Sequence, residues 1–198
     1  MQNLIAENGP VETAQMSLWV CSSLLALGVL LYRKRPRERL YAGWLALVSA
    51  LAAFREADGH ILLNPEVLGS WGVRYRIDWW LSLDAPVLPR VMWAVVGIVI
   101  AVGLVAPLVK ASPRAFLLIK GRDRAWWLFA IAAAALFVGY ACDDLVGRGQ
   151  FVAPIYSQSA EELSELVGAL LFLLAIGLTV RLSLSTREKM AWERLKPA

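Results

Sequence analysis

The sequence predicts an all-α fold: a polytopic membrane protein of five transmembrane helices, N-terminus outside and C-terminus inside. Three observations carry that prediction. Of the 198 residues, 59% are hydrophobic and 18% charged, with a mean hydropathy of +0.57. Soluble domains run at about 45–50% apolar and about 25% charged. The apolar residues also gather into five runs near the roughly 20 residues that a bilayer core takes as a helix. Finally, the basic residues sit between those runs in alternating blocks. Disorder and a disulfide scaffold are excluded by the apolar content and by the presence of two cysteines only. Nucleic acid is excluded as a partner, because the net charge of +4 is spread in short runs between apolar segments.

The first run spans about Val11 to Tyr32. Glu7 and Glu12, not basic residues, precede or open it, so it does not read as a cleaved signal peptide. The basic block Arg33-Lys34-Arg35-Pro36-Arg37-Glu38-Arg39 follows it and marks the inner side. The second run covers Leu40 to Phe54 and is short unless its helix continues to His60. An outer stretch from about 57 to 90 comes next, with Trp71, Trp79, Trp80, Leu81 and Leu83 scattered through it. It reads as surface-lying, with a short interfacial helix near 77–83 and the potential to cover the helix ends, or else as a plain aromatic belt. The third, fourth and fifth runs cover about 91–109, 125–146 and 163–182. Lipid offers no partner for backbone polar groups, so each run is expected to be helical. Residues 1–182 thus form one five-helix bundle. Residues 183–198 form a basic cytoplasmic tail that lies on the anionic inner leaflet or binds a partner helix.

The blocks expected inside hold 15 of the 20 Lys and Arg residues and only four of the 16 acids, a balance of +11. The outside holds five basic residues and 12 acids, a balance of −7. The basic skew is the positive-inside signature of a plasma (bacterial inner) membrane protein. The acidic skew is not part of that rule and needs its own cause.

Four of the five helices carry acids at their outer ends. Glu7 and Glu12 stand on the first, Glu56 and Asp58 on the second, Asp143 and Asp144 on the fourth, and Glu161, Glu162 and Glu165 on the fifth. Gly9, Pro10 and Glu12 fit N-cap, N1 and N3, and Ser159 with Glu162 has capping-box spacing. Acids in a first turn gain about 0.3–1 kcal/mol from the helix dipole, which accounts for Glu12, Glu161 and Glu162 one by one. Glu165 lies a turn deeper. Glu56, Asp58, Asp143 and Asp144 oppose the dipole at C-terminal ends and call for a compensating positive group. Arg55 and Arg148 lie within these clusters; a divalent metal ion is the other candidate.

Glu56 and His60 share a face at i and i+4, as do Glu162 and Glu165 at i and i+3. Carboxylates with one imidazole suit Zn, Mn, Fe or Ca. The expected metal site is therefore Glu12, Glu56, His60, Asp143, Glu162 and Glu165, with Asp58, Asp144, Arg55 and Arg148 around it. Dimetal carboxylate bundles draw ligands from four helices in an analogous way, but their Glu-x-x-His pairs are missing here. His60, the only histidine, is also readable as a hydrogen-bonded structural residue or as a proton relay held in an acid cage.

Other chemistries fare worse. Ser157, Ser159 and Ser164 have no nucleophile elbow around them. Cys21 and Cys142 form no zinc spacing and no disulfide at matching depth. One histidine excludes bis-His haem, and no phosphate-binding glycine loop is present. Gly97, Gly103, Ala132 to Ala135, Gly168 and Ala169 read as points of close helix approach. The function expected is that of a small membrane protein with an acidic metal site on its outer face. If it is an enzyme, the metal acts on a lipid-like or small periplasmic substrate. The rivals are a non-enzymatic subunit of a larger membrane complex, with its acids paired to arginines, and a cation or proton conductor. The conductor is weakened by the lack of ionisable residues in mid-span.

Overall fold

The computed structural model describes residues 9–57, 87–142 and 154–196, and they fold as helices. These are α1 (Pro10–Tyr32), α2 (Pro36–Glu56), α3 (Val87–Lys120), α4 (Arg124–Ala141), α5 (Pro154–Arg181) and α6 (Leu184–Leu195). Three of them, α1, α4 and the Gln158–Arg181 part of α5, are long and apolar enough to cross a membrane. A fourth candidate is α3, whose Gly97–Lys110 and Pro113–Lys120 halves meet at a 53° bend. Pro107 and Pro113 lie inside that helix, and each lacks the N–H that continues the hydrogen-bond ladder. The second expected span is helical over Pro36–Glu56, yet its uncharged run at 40–54 is only 15 residues, with charged residues at both ends.

α1 starts as its sequence dictates, with Gly9 at the N-cap and Pro10 at N1. α5 does not. It begins at Pro154, nine residues before the expected start, so Ser159 and Glu162 lie within the helix and form no capping box. Its first turn holds no acid. The dipole account of Glu161 and Glu162 therefore falls. The expected fourth run is helical over Arg124–Ala141, with Cys142 as its C-cap, and its expected end near 146 lies outside the described residues.

The helices pack in the order α2, α1, α5, α4, with α3 lying against α2 and α4, and α6 against α3. The core joins Trp19 and Ala26 of α1, Leu45 of α2, Ala132 of α4, and Ala169, Phe172 and Ile176 of α5. Phe172 sits between Trp19, with ring centroids 5.3 Å apart, and Phe129, 5.1 Å away and edge-on. Those spacings are the favoured aromatic geometries. Small residues bring α4 and α5 together. A Cβ on Gly168 would stand 2.7 Å from Leu136 Cγ and 3.3 Å from the Ala132 carbonyl. Gly97 and Gly103 do not play this part, because nothing lies within 4 Å of where their Cβ atoms would be. Many large apolar side chains face outward instead, among them Leu24, Val99 and Phe137, each more than 60% exposed. An exterior this greasy suits lipid and not water.

Candidate functional site

At the end where α1 and α5 begin and α2 finishes, polar side chains from all three helices meet. Gln15 is 1% exposed, one turn into α1 beyond Glu12. Its Nε2 donates to Glu165 Oε2 at 2.9 Å. Glu165, on α5, is itself buried. Its other oxygen, Oε1, accepts from Arg55 Nη1 of α2 at 3.1 Å. The same Arg55 nitrogen lies 4.0 Å from Glu56 Oε1. One guanidinium thus bridges two carboxylates from different helices, while an amide from a third helix holds the deeper one.

α4 makes room for this arrangement. A Cβ on Gly139 would stand 2.8 Å from Glu165 Cγ and 3.3 Å from the Glu161 carbonyl. Only a residue without a side chain lets α4 approach so closely that Glu165 is sealed beneath it. Glu12 and Glu162 complete the acidic neighbourhood, each within electrostatic reach of the other. Glu56 lies past the apolar run of α2. Burial pushes its carboxyl up from 4.5 to about 7, the Glu165 charge adds to that, Arg55 opposes it, and Glu162 and Glu12 add smaller shares. Removing water disfavours the ionised form, and neighbouring anions disfavour it further. One polar atom in this site is unmet: Gln15 Oε1 is buried and has no hydrogen-bond partner among the described residues. A buried carbonyl oxygen without a partner costs about 1–3 kcal/mol.

Of the predicted ligands, the fold brings Glu12, Glu56, Glu162 and Glu165 to one end of the bundle, with Arg55 among them. His60, Asp58, Asp143, Asp144 and Arg148 lie outside the described residues. Among the described residues no group of three or more His, Cys, Asp or Glu is disposed to hold a metal ion. Both cysteines are free. No protein-family model, no curated protein and no solved structure matches this chain.

Sequence reasoning missed two things. The first is Gln15, a neutral amide inside an apolar run. Its signal was its position, three residues after Glu12 and so on the same helix face. The second is a polar network at the opposite end of the bundle. There Arg187 Nη1 of α6 donates to both oxygens of Asp123 at 2.9 Å. Asp123 also caps α4, its Oδ1 accepting from the backbone N–H of Ala125 at 3.1 Å and of Trp126 at 3.2 Å. Arg187 Nη2 donates to the Leu178 carbonyl, and Arg33 Nη2 to the Val180 carbonyl at 2.8 Å. Both arginines satisfy carbonyls at the C-terminal end of α5, where a helix favours cations.

Proposed function

We propose that the chain is a five-span protein of the plasma membrane, N-terminus outside and C-terminus inside, and that its outer end binds a divalent cation. Glu12, Glu56, Glu162 and Glu165, with the Gln15 carbonyl oxygen beside them, are the donors from the bundle. By themselves these described residues are not grouped to hold an ion, so the site needs further ligands. His60 and Asp143 join them from the segments after α2 and α4. The observation that carries this reading is the unmet, buried Gln15 oxygen beside a carboxylate cluster in which burial first, and the neighbouring charges second, push the Glu56 carboxyl up to about 7. Hard cations take carboxylate and amide carbonyl oxygens together. The helix dipole no longer explains Glu161 and Glu162, and it never explained Glu165, so a positive guest has more left to account for. When bound, such an ion supplies Lewis acidity or an activated water at the membrane surface.

The topology has its own support. At 1.5 Å per residue the 15 uncharged residues of α2 reach about 22 Å, and the arginines that flank them have side chains long enough to carry their charge on to the headgroups. The +11 inner balance sets the direction. Reporter fusions after Arg35, Arg122 and Ala198 should all read as inside. An outside reading at any of the three overturns the five-span order.

Elemental analysis of the detergent-purified chain tests the site. About one metal ion per chain is expected, lost in Glu165→Gln and in His60→Ala. A chain that stays metal-free after incubation with Zn, Mn, Fe and Ca overturns the proposal. A second reading then takes over, favoured by the Arg55–Glu165–Gln15 chain that ties α2, α5 and α1. In that reading the cluster is a brace within a non-enzymatic subunit, and partner chains co-purify in mild detergent.

A further inference from the structure

A second feature lies on the other side of the bundle, away from the carboxylates and independent of any reading of them. Between α2, the bent α3 and α4 is a cavity of about 570 Å³. That size falls within the roughly 300–1,000 Å³ of small-molecule sites. Its wall is apolar and aromatic. Tyr41 and Trp44 of α2 face Trp126 and Phe129 of α4, with Phe172 of α5 behind them. Tyr41 stacks on Trp126 at 5.8 Å, and Trp44 Nε1 donates to the Leu104 carbonyl of α3 at 3.1 Å, so the wall is fixed on both sides. Along α4 the lining runs from Trp126 to Leu136. Ten residues at 1.5 Å each make a slot about 15 Å long.

One end of that slot is basic. Arg37 from the start of α2, and Lys110 and Arg114 from either side of the α3 bend, form its rim. Glu188 of α6 is the carboxylate there, its Oε1 lying 3.3 Å from Arg37 Nη2 and 3.6 Å from Arg114 Nε. Both arginine side chains remain about half exposed, 48% in each case. The guanidiniums therefore converge on one anionic oxygen and keep donors free for another. Cations at one end of an apolar slot about 15 Å long match the polarity of one molecule class in reach of a membrane protein: a phospholipid with an anionic headgroup. Basic pockets between helices on the inner side bind such headgroups, at about 1 kcal/mol per basic residue.

We infer that this cavity is a binding site for an anionic phospholipid, its phosphate held by Arg37, Lys110 and Arg114 and one acyl chain lying on Trp44, Trp126 and Phe129. The α3 bend sets the site by holding Lys110 and Arg114 at the mouth while Leu104 stays against Trp44.

Lipids brominated in the acyl chain quench nearby tryptophan, which gives a direct test on the full chain in detergent. Brominated phosphatidylglycerol is expected to quench at a concentration at least tenfold lower than brominated phosphatidylcholine. The Lys110→Gln, Arg114→Gln double variant, both changes on solvent-reaching side chains, should lower that preference about tenfold or more, each charge being worth about fivefold. Trp126→Phe should remove much of the selective quenching, placing the chain in this slot. Equal quenching by the two lipids overturns the inference, as does a preference that survives the double variant. Inorganic phosphate that abolishes the phosphatidylglycerol signal at equal concentration shows a free-anion site instead and overturns the lipid.

Discussion

At the end of the bundle where α1 finishes and α2 begins, Arg187 meets Asp123 on both oxygens at 2.9 Å and also covers the α5 C-terminus. Glu38 there lies between Arg33 at 3.8 Å and Arg35 at 3.9 Å. At the opposite end Arg55 serves Glu165 at 3.1 Å and Glu56 at 4.0 Å, with Glu12 and Glu162 nearby. The first end matches each of these acids to guanidinium and uses the cations again on helix carbonyls. The second gathers carboxylates that repel one another. The first network is balanced in charge by its own side chains, although Glu38 Oε1 and Arg187 Nε are buried there without a hydrogen-bond partner among the described residues, and it serves as a latch. A network that holds a carboxyl near neutrality stores a preference for positive charge, and that is where a ligand changes most.

The largest expected effect lies at the latch. Arg187→Ala leaves Asp123, whose side chain is 13% exposed, without its counter-ion. Breaking such a pair from one side costs about 3–5 kcal/mol. Thermal unfolding in detergent should show that loss, and α6 should become open to protease. An unchanged melting temperature would refute the latch. Exchanging both partners together, Asp123→Asn with Arg187→Met, should recover part of the loss, because no lone charge is then buried.

Two glycines sharpen the contrast at intermediate size. Gly121 follows α3, and a Cβ there would stand 2.5 Å from Ala191 Cβ and 2.7 Å from Ala191 Cα of α6. Gly139 faces Glu165 at 2.8 Å. Overpacking of this kind costs about 1–3 kcal/mol. Gly121→Ala should loosen α6 from the bundle and leave cation binding as it was. Gly139→Ala should push Glu165 off Gln15 and Arg55 and weaken cation binding while α6 stays docked. If both variants lose the same property, the two ends are not separate devices.

How far each end was legible in the sequence follows from the kind of signal involved. α1 was legible throughout, because Gly9-Pro10 starts it and the basic block ends its apolar run. The start of α5 was not. Its first two turns mix Ile155, Tyr156 and Ala160 with Ser157, Gln158 and Ser159 and so make no apolar run, and Ser159 with Glu162 imitates a cap, whereas Pro154 is what opens the helix. The four glutamates were legible as a group, since helix ends at one membrane face must lie at similar depth. Gln15 was hidden because a neutral amide does not disturb hydropathy. The latch was hidden for the opposite reason: Arg187 and Asp123 lie in stretches whose charges already had an explanation in topology. The pairing of Arg187 with Asp123 joins residues 64 apart in the chain, which spacing along one helix cannot reveal.

Acidity gives the smallest and most discriminating test. In the folded chain Glu56 binds its proton up to about pH 7, against an ordinary value of 4.5. The folded state therefore holds more protons than the unfolded state between those two values, and stability must fall as pH rises through that window. Below about pH 4.5 the residue is protonated in both states and contributes nothing. Glu56→Gln should leave stability unchanged at pH 4 and raise it above pH 7, by about 1 kcal/mol once solvent screening around the exposed Arg55 is allowed for. A bound divalent ion reverses the sign. It requires the carboxylate, so in saturating metal the same variant should lose stability above pH 7. A variant indifferent to both pH and metal would mean that Glu56 lies outside the cluster. The contrast between a balanced end and an unbalanced one would then rest on Glu165 alone, which Arg55 and Gln15 already satisfy.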